Sequence, residues 1–457
     1  MKYSKLFITA LLITIFSINL LFAGEDNDNP LMGDRSQVRT EGGYKERTKI
    51  QMIPDVDDIG RGEKETSFDG FPKRDFMFVF NYSIYSTYPA AITMESAAMA
   101  FVKGTNYPIS FMHKNSSPLI QVITYFAKSI IVDLPIIHAA VTFNHEFFGH
   151  AVRVREAGGT VDKVKINWPF PFGGGGGYME YHGVSSTDHN LMIISGGYEA
   201  NMLMSHIVAM RWVQDGYIAP HDFTTYLLTR LDLFYYIHYT EDINSSDGND
   251  IAAYINLVNQ KYGYSTSSKY KLTLDKLQNY KWLILADPLL FFAAASHFYS
   301  QITGKKIMKT IMIPVGKADI LPSGRISLAP YGVEWYVDIF IKFDKRLLFI
   351  PYFRMTTGEF VSAWGAGVKF KGIEIVQNLF FGGALHVFMQ PEIVHDYVSN
   401  PAKTDLYFGI AGYLDITVMI SHLFRLTGRI GYKTNGYVFG MALESGFIWH
   451  AGGIFHF

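Results

Sequence analysis

The 457-residue sequence contains no cysteine. A disulfide framework and a thiolate zinc site are therefore excluded, and any metal ion must be bound by His, Asp or Glu side chains. The same absence excludes a cysteine nucleophile, and no G-x-S-x-G motif marks a serine nucleophile. The glycine run at 173–177 is not followed by the Lys-Ser/Thr pair of a phosphate-binding loop.

Charge is also scarce in this chain. Charged residues make up 18% of the sequence and aromatic residues 16%, a balance more typical of a membrane-associated protein than of a soluble cytosolic enzyme. The formal net charge is −1 and no long basic block is present, so nucleic acid is not an expected partner. The length is sufficient for two or three domains.

The N-terminus has the pattern of an exported protein. Residues 1–23 combine two early lysines with an apolar run ending at Ala23, which predicts a secretory signal peptide cleaved after that residue. An uncleaved anchor helix is the alternative. Residues 24–70 are polar and aperiodic, and we interpret them as a flexible leader.

Two regions of different periodicity follow the leader. Residues 71–304 are mainly helical in pattern, and none of the apolar segments is an uninterrupted membrane span. These segments lie near 88–103, 117–157, 188–213, 222–240, 250–262 and 281–302. The sequence therefore predicts a helical domain over 71–304.

Residues 305–457 alternate between apolar and polar side chains, as in Val333, Trp335 and Val337 against Glu334 and Asp338. This period of two predicts about eight strands. Turn signals separate them. These signals are Asp344-Lys345, Thr357-Gly358, Asn400-Pro401 and Asn435-Gly436, and the last of them predicts a β-hairpin.

The C-terminus ends in aromatic residues on one alternating face, with Phe457 last. It resembles the last strand of bacterial outer-membrane barrel proteins. The resemblance implies an antiparallel β-barrel, so the overall prediction is an α+β multidomain chain located in the outer membrane or, alternatively, the periplasm. A soluble β-sandwich is the competing interpretation of the same alternation.

The stretch Phe143-Asn-His-Glu-Phe-Phe-Gly-His150 concentrates metal-ligand side chains within an apolar segment. A buried imidazole or carboxylate needs a partner, and a divalent metal ion supplies one. His145 and His150 would lie roughly 140° apart on a regular α-helix, so both can bind one ion only if a π-type turn absorbs one residue. Without that turn the natural pairs are Glu146 with His150 or His138 with His145, and the histidines would be core or surface residues.

A proline- and glycine-rich segment follows this motif. Consecutive glycines let another chain approach closely, so Gly175 and Gly176 are candidates for holding an extended peptide by strand addition. A flexible loop is the equal alternative.

The ordered motifs resemble the site-2 protease family of zinc metalloproteases. They are His145-Glu-Phe-Phe-Gly-His150, the glycine segment from Gly173, Ser195-Gly-Gly-Tyr-Glu-Ala-Asn201 and Ser246-Asp-Gly-Asn-Asp250. The first motif has one residue more than the family's H-E-x-x-H, Gly-Tyr-Glu replaces the usual Gly-Pro context before the Asn, and no Leu precedes the Asp-Gly.

The resemblance implies that His145, His150 and Asp247 bind Zn²⁺, with Asp250 as the alternative third ligand. It also implies that Glu146 is the general base, and Asn201 is a candidate for orienting the substrate. The expected function is an exported zinc metallopeptidase that cleaves peptide or protein substrates through a metal-activated water. The alternatives are a hydrolase of lipid or glycan with the same site, and a non-catalytic outer-membrane barrel protein with a helical plug or adaptor. Capping of the following helix is the alternative role of Asp247 and Asp250.

Overall fold

The computed structural model describes most of the chain beyond the leader. All described residues belong to one compact unit, Ser67–Phe457. The expected signal peptide and leader lie outside the described residues, as do the turn signals at 344–345, 357–358 and 400–401. The described ranges are 75–80, 87–113, 116–169, 172–173, 176–218, 222–243, 249–262, 271–303, 308–343, 347–356, 361–393 and 405–456.

Each of the six predicted helical segments coincides with a helix or a helix pair, so this part of the sequence prediction is confirmed. Local signals set the ends of the helix Thr187–Asp215. At its start the Ser186 side chain accepts a hydrogen bond from His189 N, and Gly216 ends it with a φ of 78°. The helices are α1 Thr87–His113, α2 at 118–156, α3 Thr187–Asp215, α4 Phe223–Tyr239, α5 Asp250–Lys261, α6 Leu274–Tyr280 and α7 Pro288–Thr303, with a 3₁₀ turn Lys281–Ala286 before α7.

Helix α2 is continuous but contains two π-helical segments, Ser129–Asp133 and Asn144–His150. The first ends two residues before Pro135, whose ring would clash with the Ile131 carbonyl in a regular helix, so the wider turn relieves that contact. The second coincides with the His-Glu motif. The π turn predicted there is confirmed.

Among the residues that the structure describes, one helical stretch is long and apolar enough to cross a membrane, namely Leu119–Glu156, and 22% of its apolar window is buried. The pair Leu274–Ala286 and Pro288–Tyr299 meets the same criterion together, with a bend of 56° between its halves. Length and composition alone do not distinguish a membrane span from a core helix.

Ten of the described strands belong to one sheet. They are β1 Asp75–Phe80, β6 Ile313–Val315, β7 Ala318–Ala329, β8 Gly332–Phe343, β9 Leu347–Thr356, β10 Trp364–Val376, β11 Leu379–Pro391, β12 Leu406–Met419, β13 Phe424–Lys433 and β14 Gly446–His456. Two separate pairs are β2 Thr160–Ile166 with β3 Gly177–His182, and β4 Tyr217–Ile218 with β5 Met308–Lys309.

The ten-stranded sheet is antiparallel, with the strand order β1-β14-β13-β12-β11-β10-β9-β8-β7-β6. The chain is therefore of the α+β class. Over the described ranges the expected barrel is not closed, because the ladder ends at β1 and β6 without pairing between them.

Two local predictions are wrong. Strand β1 lies in the region expected to be helical, because a short, continuously apolar segment carries no period that separates strand from helix. The hairpin expected at Asn435-Gly436 is instead a longer connection between β13 and β14. It folds back into the core, where Tyr437 is fully buried and Gly436 N donates to Leu443 O.

The two faces of the sheet have inverted polarity. Charged side chains lie on the buried face, where Arg354 pairs with Glu334 at 2.9 Å and Arg325 with Asp338 at 2.7 Å. Helix α3 packs on this side against β7, β8 and β9. The opposite face exposes large apolar side chains. They include Val337, Phe353, Leu385, Ile410, Leu414, Ile416, Val418, Leu426, Ile430 and Trp449.

Helix α1 covers one end strand of the sheet. On β1, Met77 N donates to Ser96 Oγ at 2.9 Å and Val79 N donates to Thr93 Oγ1 at 3.0 Å, both from α1. Near the other end of the sheet, Tyr254 Oη from α5 donates to Ala329 O at 2.6 Å and to Gly332 O at 2.9 Å, at the turn between β7 and β8. Edge amides of β1 that would otherwise recruit another strand are thus satisfied by helical side chains.

The Arg354–Glu334 pair generates a prediction about stability. Glu334 also accepts hydrogen bonds from Tyr331 and Tyr336, so Glu334→Gln leaves a buried guanidinium without its counter-charge. We expect the free energy of unfolding to fall by about 3–5 kcal/mol in urea titrations of detergent-solubilised protein. Glu180→Gln, at a side chain 57% exposed on β3, is the matched control and should unfold like the wild type. Equal stability of the two variants would contradict the role of the pair.

Candidate metal centre

Two histidines and one aspartate converge beside the second π-helical segment. His150 Nε2 lies 3.3 Å from Asp250 Oδ2, and His145 Nε2 lies 3.6 Å from the same oxygen. The two imidazole centroids are 4.7 Å apart, and the three candidate donor atoms all lie within 4.8 Å of one another. The structure therefore brings together a His145–His150–Asp250 group that could hold a metal ion.

The local backbone explains the convergence. The π turn over Asn144–His150 places side chains five residues apart on nearly the same side of α2. On α5 the N-cap is Asn249, whose side chain accepts from Ala252 N at 3.1 Å. Asp250 is the first helical residue and faces the histidines, so the capping role considered for it is wrong. Asp247 lies outside the described residues.

Hydrogen bonds on the far side of each ring fix the histidine tautomers. His145 Nδ1 lies 3.0 Å from Asp232 Oδ2, and His150 Nδ1 lies 2.6 Å from Ile193 O. A carboxylate and a carbonyl only accept, so each Nδ1 carries the proton. When the rings are neutral, both Nε2 atoms therefore present lone pairs towards Asp250.

With both rings neutral, three acceptors meet at this place, and they require a cation or added protons. Charge-assisted N–H···O bonds are typically about 2.7–2.9 Å long, shorter than either separation here. Tetrahedral coordination with ligand bonds of about 2.0–2.2 Å places neighbouring donor atoms about 3.4 Å apart. Over the described part of the chain, the buried His145 Nε2 has no hydrogen-bond partner. The spacing and this orphaned nitrogen are compatible with a metal ion.

Glycines allow α2 and α3 to approach closely at the site. A Cβ on Gly149 would lie 2.5 Å from Gly197 Cα, and a Cβ on Gly197 would lie 2.3 Å from His145 Nε2. Real side chains do not tolerate such distances, so the position of the His145 ring depends on the missing side chain of Gly197.

Glu146 lies in the same segment and is only 4% exposed. Its Cγ and Oε1 lie against Gly177, where an added Cβ would meet them at 2.7 Å and 3.0 Å. Strand β3 thus begins next to the expected general base. Gly176 directly precedes it with a φ of 74°, and Gly175 lies outside the described residues, so their peptide-holding role stays a prediction.

Asn201 is buried beneath the site and does not face the candidate donor atoms directly. Its Nδ2 donates to Asp232 Oδ2 at 2.9 Å, and its Oδ1 accepts from Asn144 Nδ2 at 2.9 Å. Its substrate-binding role likewise stays a prediction.

Two residues at the site were missed by sequence reasoning. Asp232 contacts His145, and the Tyr236 ring stacks on the His145 ring at a centroid distance of 5.3 Å and an interplanar angle of 9°. Both come from α4, far from the motif along the chain. The isolated aspartate in the apolar run Leu231-Asp232-Leu233 was the available signal, because a buried carboxylate needs a partner.

Electrostatics favour an ionised Asp250. Burial by itself would raise the pKa of this carboxyl group, but the His150 and His145 side chains hold it well below its usual value. Burial would lower the pKa of both histidines, but Asp250 raises that of His150, and Tyr236 and Asp232 raise that of His145 above the usual value. An ionised carboxylate is the form that binds a metal ion.

Together, the fold and the site define an α+β protein with a candidate metal centre on its helical side. Searches of protein-family models, curated proteins and solved structures found no significant match to this chain. The site-2 protease resemblance therefore depends on the ordered motifs and stays a prediction.

The contact at Gly197 generates a prediction about metal affinity. We expect Gly197→Ala to displace the His145 ring and weaken Co²⁺ or Zn²⁺ binding at least about tenfold, measured by competition with a chelator. Gly104→Ala is the matched control, since a Cβ there meets nothing within 4 Å and the residue is also helical. Wild-type affinity in the Gly197 variant would show that the ring position does not depend on this contact.

Proposed function

We propose that this chain is an exported zinc metallopeptidase whose site is formed by His145, His150 and Asp250, with Glu146 as the general base. The observation that carries the proposal is the convergence of two buried imidazole Nε2 atoms and the half-buried Asp250 carboxylate, with the buried Glu146 carboxylate alongside. Two nitrogens and one oxygen are a common ligand set of catalytic zinc sites, in which a fourth position stays open for water. The ordered motifs of the site-2 protease family support the same assignment.

The metal ion and the protein side chains would have different roles in the proposed reaction. When bound, zinc lowers the pKa of a water molecule towards about 7 and polarises a carbonyl oxygen. Glu146 would accept the proton of the attacking water and later return it to the leaving amine. Asp250 would stay ionised and offset part of the ion's charge.

The substrate side of the proposal concerns β3. This strand pairs with β2 in a separate two-stranded sheet and begins at Gly177, against Glu146. An extended peptide added to this hairpin would bring its carbonyl groups close to the general base. A peptide backbone supplies hydrogen-bonding groups along its whole length, which favours it over a lipid or glycan substrate in this proposal.

Substitution at Glu146 tests the reaction. We expect Glu146→Gln to reduce peptide hydrolysis by about 10²–10⁴-fold because the general base is lost, while stoichiometric zinc is retained. His150→Ala should lose both zinc and activity, and Asp319→Asn, at an exposed position on β7 away from the hairpin, should keep both. Activity is measured on a library of unstructured peptides, and metal content by elemental analysis. A wild type that binds no zinc, or a zinc-loaded wild type that cleaves no peptide while hydrolysing lipid or glycan probes, would refute the peptidase assignment.

We further propose that the sheet lies in a lipid bilayer, with the outer membrane as its location. The supporting observation is its inverted polarity: Arg354, Glu334 and Asp338 are buried on the helix side, while the outward face is apolar. A water-facing sheet has the opposite pattern, whereas membrane-spanning sheets carry apolar side chains outwards. This observation also favours the second candidate function, a membrane protein whose helices act as a plug or adaptor.

The covered edge at β1 is compatible with lipid. Backbone groups exposed to hydrocarbon must be satisfied within the protein. Ser96 and Thr93 from α1 accept hydrogen bonds from two amides of β1. Helix α1 thereby takes the place of a neighbouring strand at this end of the ladder.

Tryptophan fluorescence tests this location. Trp449 is 41% exposed on the apolar face, whereas Trp212 is fully buried in α3. In single-tryptophan variants, with the other five replaced by Phe, acyl-chain-brominated lipids should quench Trp449 strongly and Trp212 weakly. Quenching of Trp449 by aqueous iodide instead would place this face in water.

A further inference from the structure

A chain of buried polar side chains leads away from the candidate metal centre through α2, α3 and α4. His145 Nδ1 donates to Asp232 Oδ2 at 3.0 Å, and Asn201 Nδ2 donates to the same oxygen at 2.9 Å. Asn144 Nδ2 in turn donates to Asn201 Oδ1 at 2.9 Å. The chain therefore runs from the interior to the histidine ring with each donor facing an acceptor.

We infer that Asp232 is the positioning residue of this metal centre and that Asn201 holds Asp232 in place. The inference rests on the proposed metal site and assigns Asn201 a different role from substrate contact. Metal-binding histidines commonly donate their second ring N–H to a carboxylate, which fixes the tautomer and makes the other nitrogen a better donor. The Asp232 carboxylate has that relation to His145.

The contacts determine which side chain donates and which accepts in each hydrogen bond of this chain of residues. The Asp232 carboxylate oxygen accepts the hydrogen bond from His145 Nδ1, so it selects the His145 tautomer with a free lone pair on Nε2. The Asn201 amide is held from both sides, because its oxygen accepts from Asn144 while its nitrogen donates to Asp232. Both asparagines are fully buried, so water does not compete for these bonds.

The His145 ring is held by packing contacts as well as by its hydrogen bond to Asp232. Tyr236 stacks on one face, and Gly197 lies close to its Nε2 side. Asp232 and Tyr236 are four residues apart on α4 and so lie on the same side of that helix. A single helix thus supplies both the hydrogen-bond acceptor and the stacking ring for one ligand.

His150 differs, because its Nδ1 donates to the backbone carbonyl of Ile193. A carbonyl carries no net charge and cannot be removed by substitution. Of the two histidines, His145 is therefore the ligand whose donor strength depends on a replaceable side chain.

The test compares metal binding in three variants. Asp232→Asn keeps an acceptor of similar shape and removes the charge, and we expect Co²⁺ affinity to fall about 10–100-fold in chelator competition. Asn201→Ala should produce a smaller fall of about 3–10-fold, because it acts through Asp232. The matched control is Asp162→Asn, since Asp162 also pairs with a histidine Nδ1, at 2.8 Å, but on the exposed hairpin.

Two further measurements are the visible absorption spectrum of bound Co²⁺ and the melting temperature of the metal-free proteins. We expect Asp232→Asn to alter the Co²⁺ spectrum and to keep a melting temperature close to that of the wild type. Unchanged affinity and spectrum in Asp232→Asn would overturn the inference, as would a wild type that binds no metal. Unchanged metal affinity in Asn201→Ala, with a raised KM, would contradict the positioning role of Asn201 and indicate that it contacts the substrate.

The outcome is separable from that of the proposed function. A wild type that binds metal but cleaves no peptide refutes the peptidase assignment and leaves the affinity comparison readable. Loss of peptide cleavage in Asp232→Asn without loss of metal affinity would count against positioning of the metal ligand.

Discussion

The site depends on how closely helix α2 approaches helix α3. Gly149 lies against Gly196 and Gly197, at distances that exclude any side chain on the facing positions. This approach brings the π segment against α3, where Asn201 reaches Asp232 and the Ile193 carbonyl reaches His150. With larger residues at these positions, the ring positions and their hydrogen bonds would change together.

A second contact joins this helix pair to the sheet. Arg153 on α2 donates to Glu199 on α3, and both reach the connection between β13 and β14. Arg153 donates to Met441 O at 2.8 Å, and Gly440 N donates to Glu199 Oε1 at 2.7 Å. These groups are buried, so each bond replaces one lost to water. The longer connection after β13 therefore has a structural purpose that a two-residue hairpin could not serve.

The sequence predicted well whatever follows from local spacing. The six helical segments, the alternation of strands and the π turn at His145–His150 are properties of short stretches of chain, and the structure confirms them. Asp232, Tyr236 and the glycine contact were not predicted in these roles, because they depend on which helices pack together. Strand β1 was missed for a related reason: its assignment is decided by pairing with β14, 371 residues or more away along the chain.

The polarity of the sheet also separates what local spacing predicts from what depends on packing. Alternation at Val333–Asp338 predicts a strand with two different faces, but it does not say which face meets the rest of the protein. The structure turns the charged face inwards, where Glu334, Arg354 and their neighbours satisfy one another.

That inward polarity constrains where chemistry can take place in this chain. Buried charges are tolerated only when they are paired or bound to a cation, and Arg325–Asp338 and Arg354–Glu334 are such pairs within the sheet. The His145–His150–Asp250 group is different, because with neutral rings its three facing atoms are all acceptors and the Asp250 carboxylate cannot satisfy the other two. Its own side chains leave a positive charge to be supplied from outside. A cation at this position would provide the counter-charge that the two sheet pairs already contain, which is the physical reason to look for the ion there first.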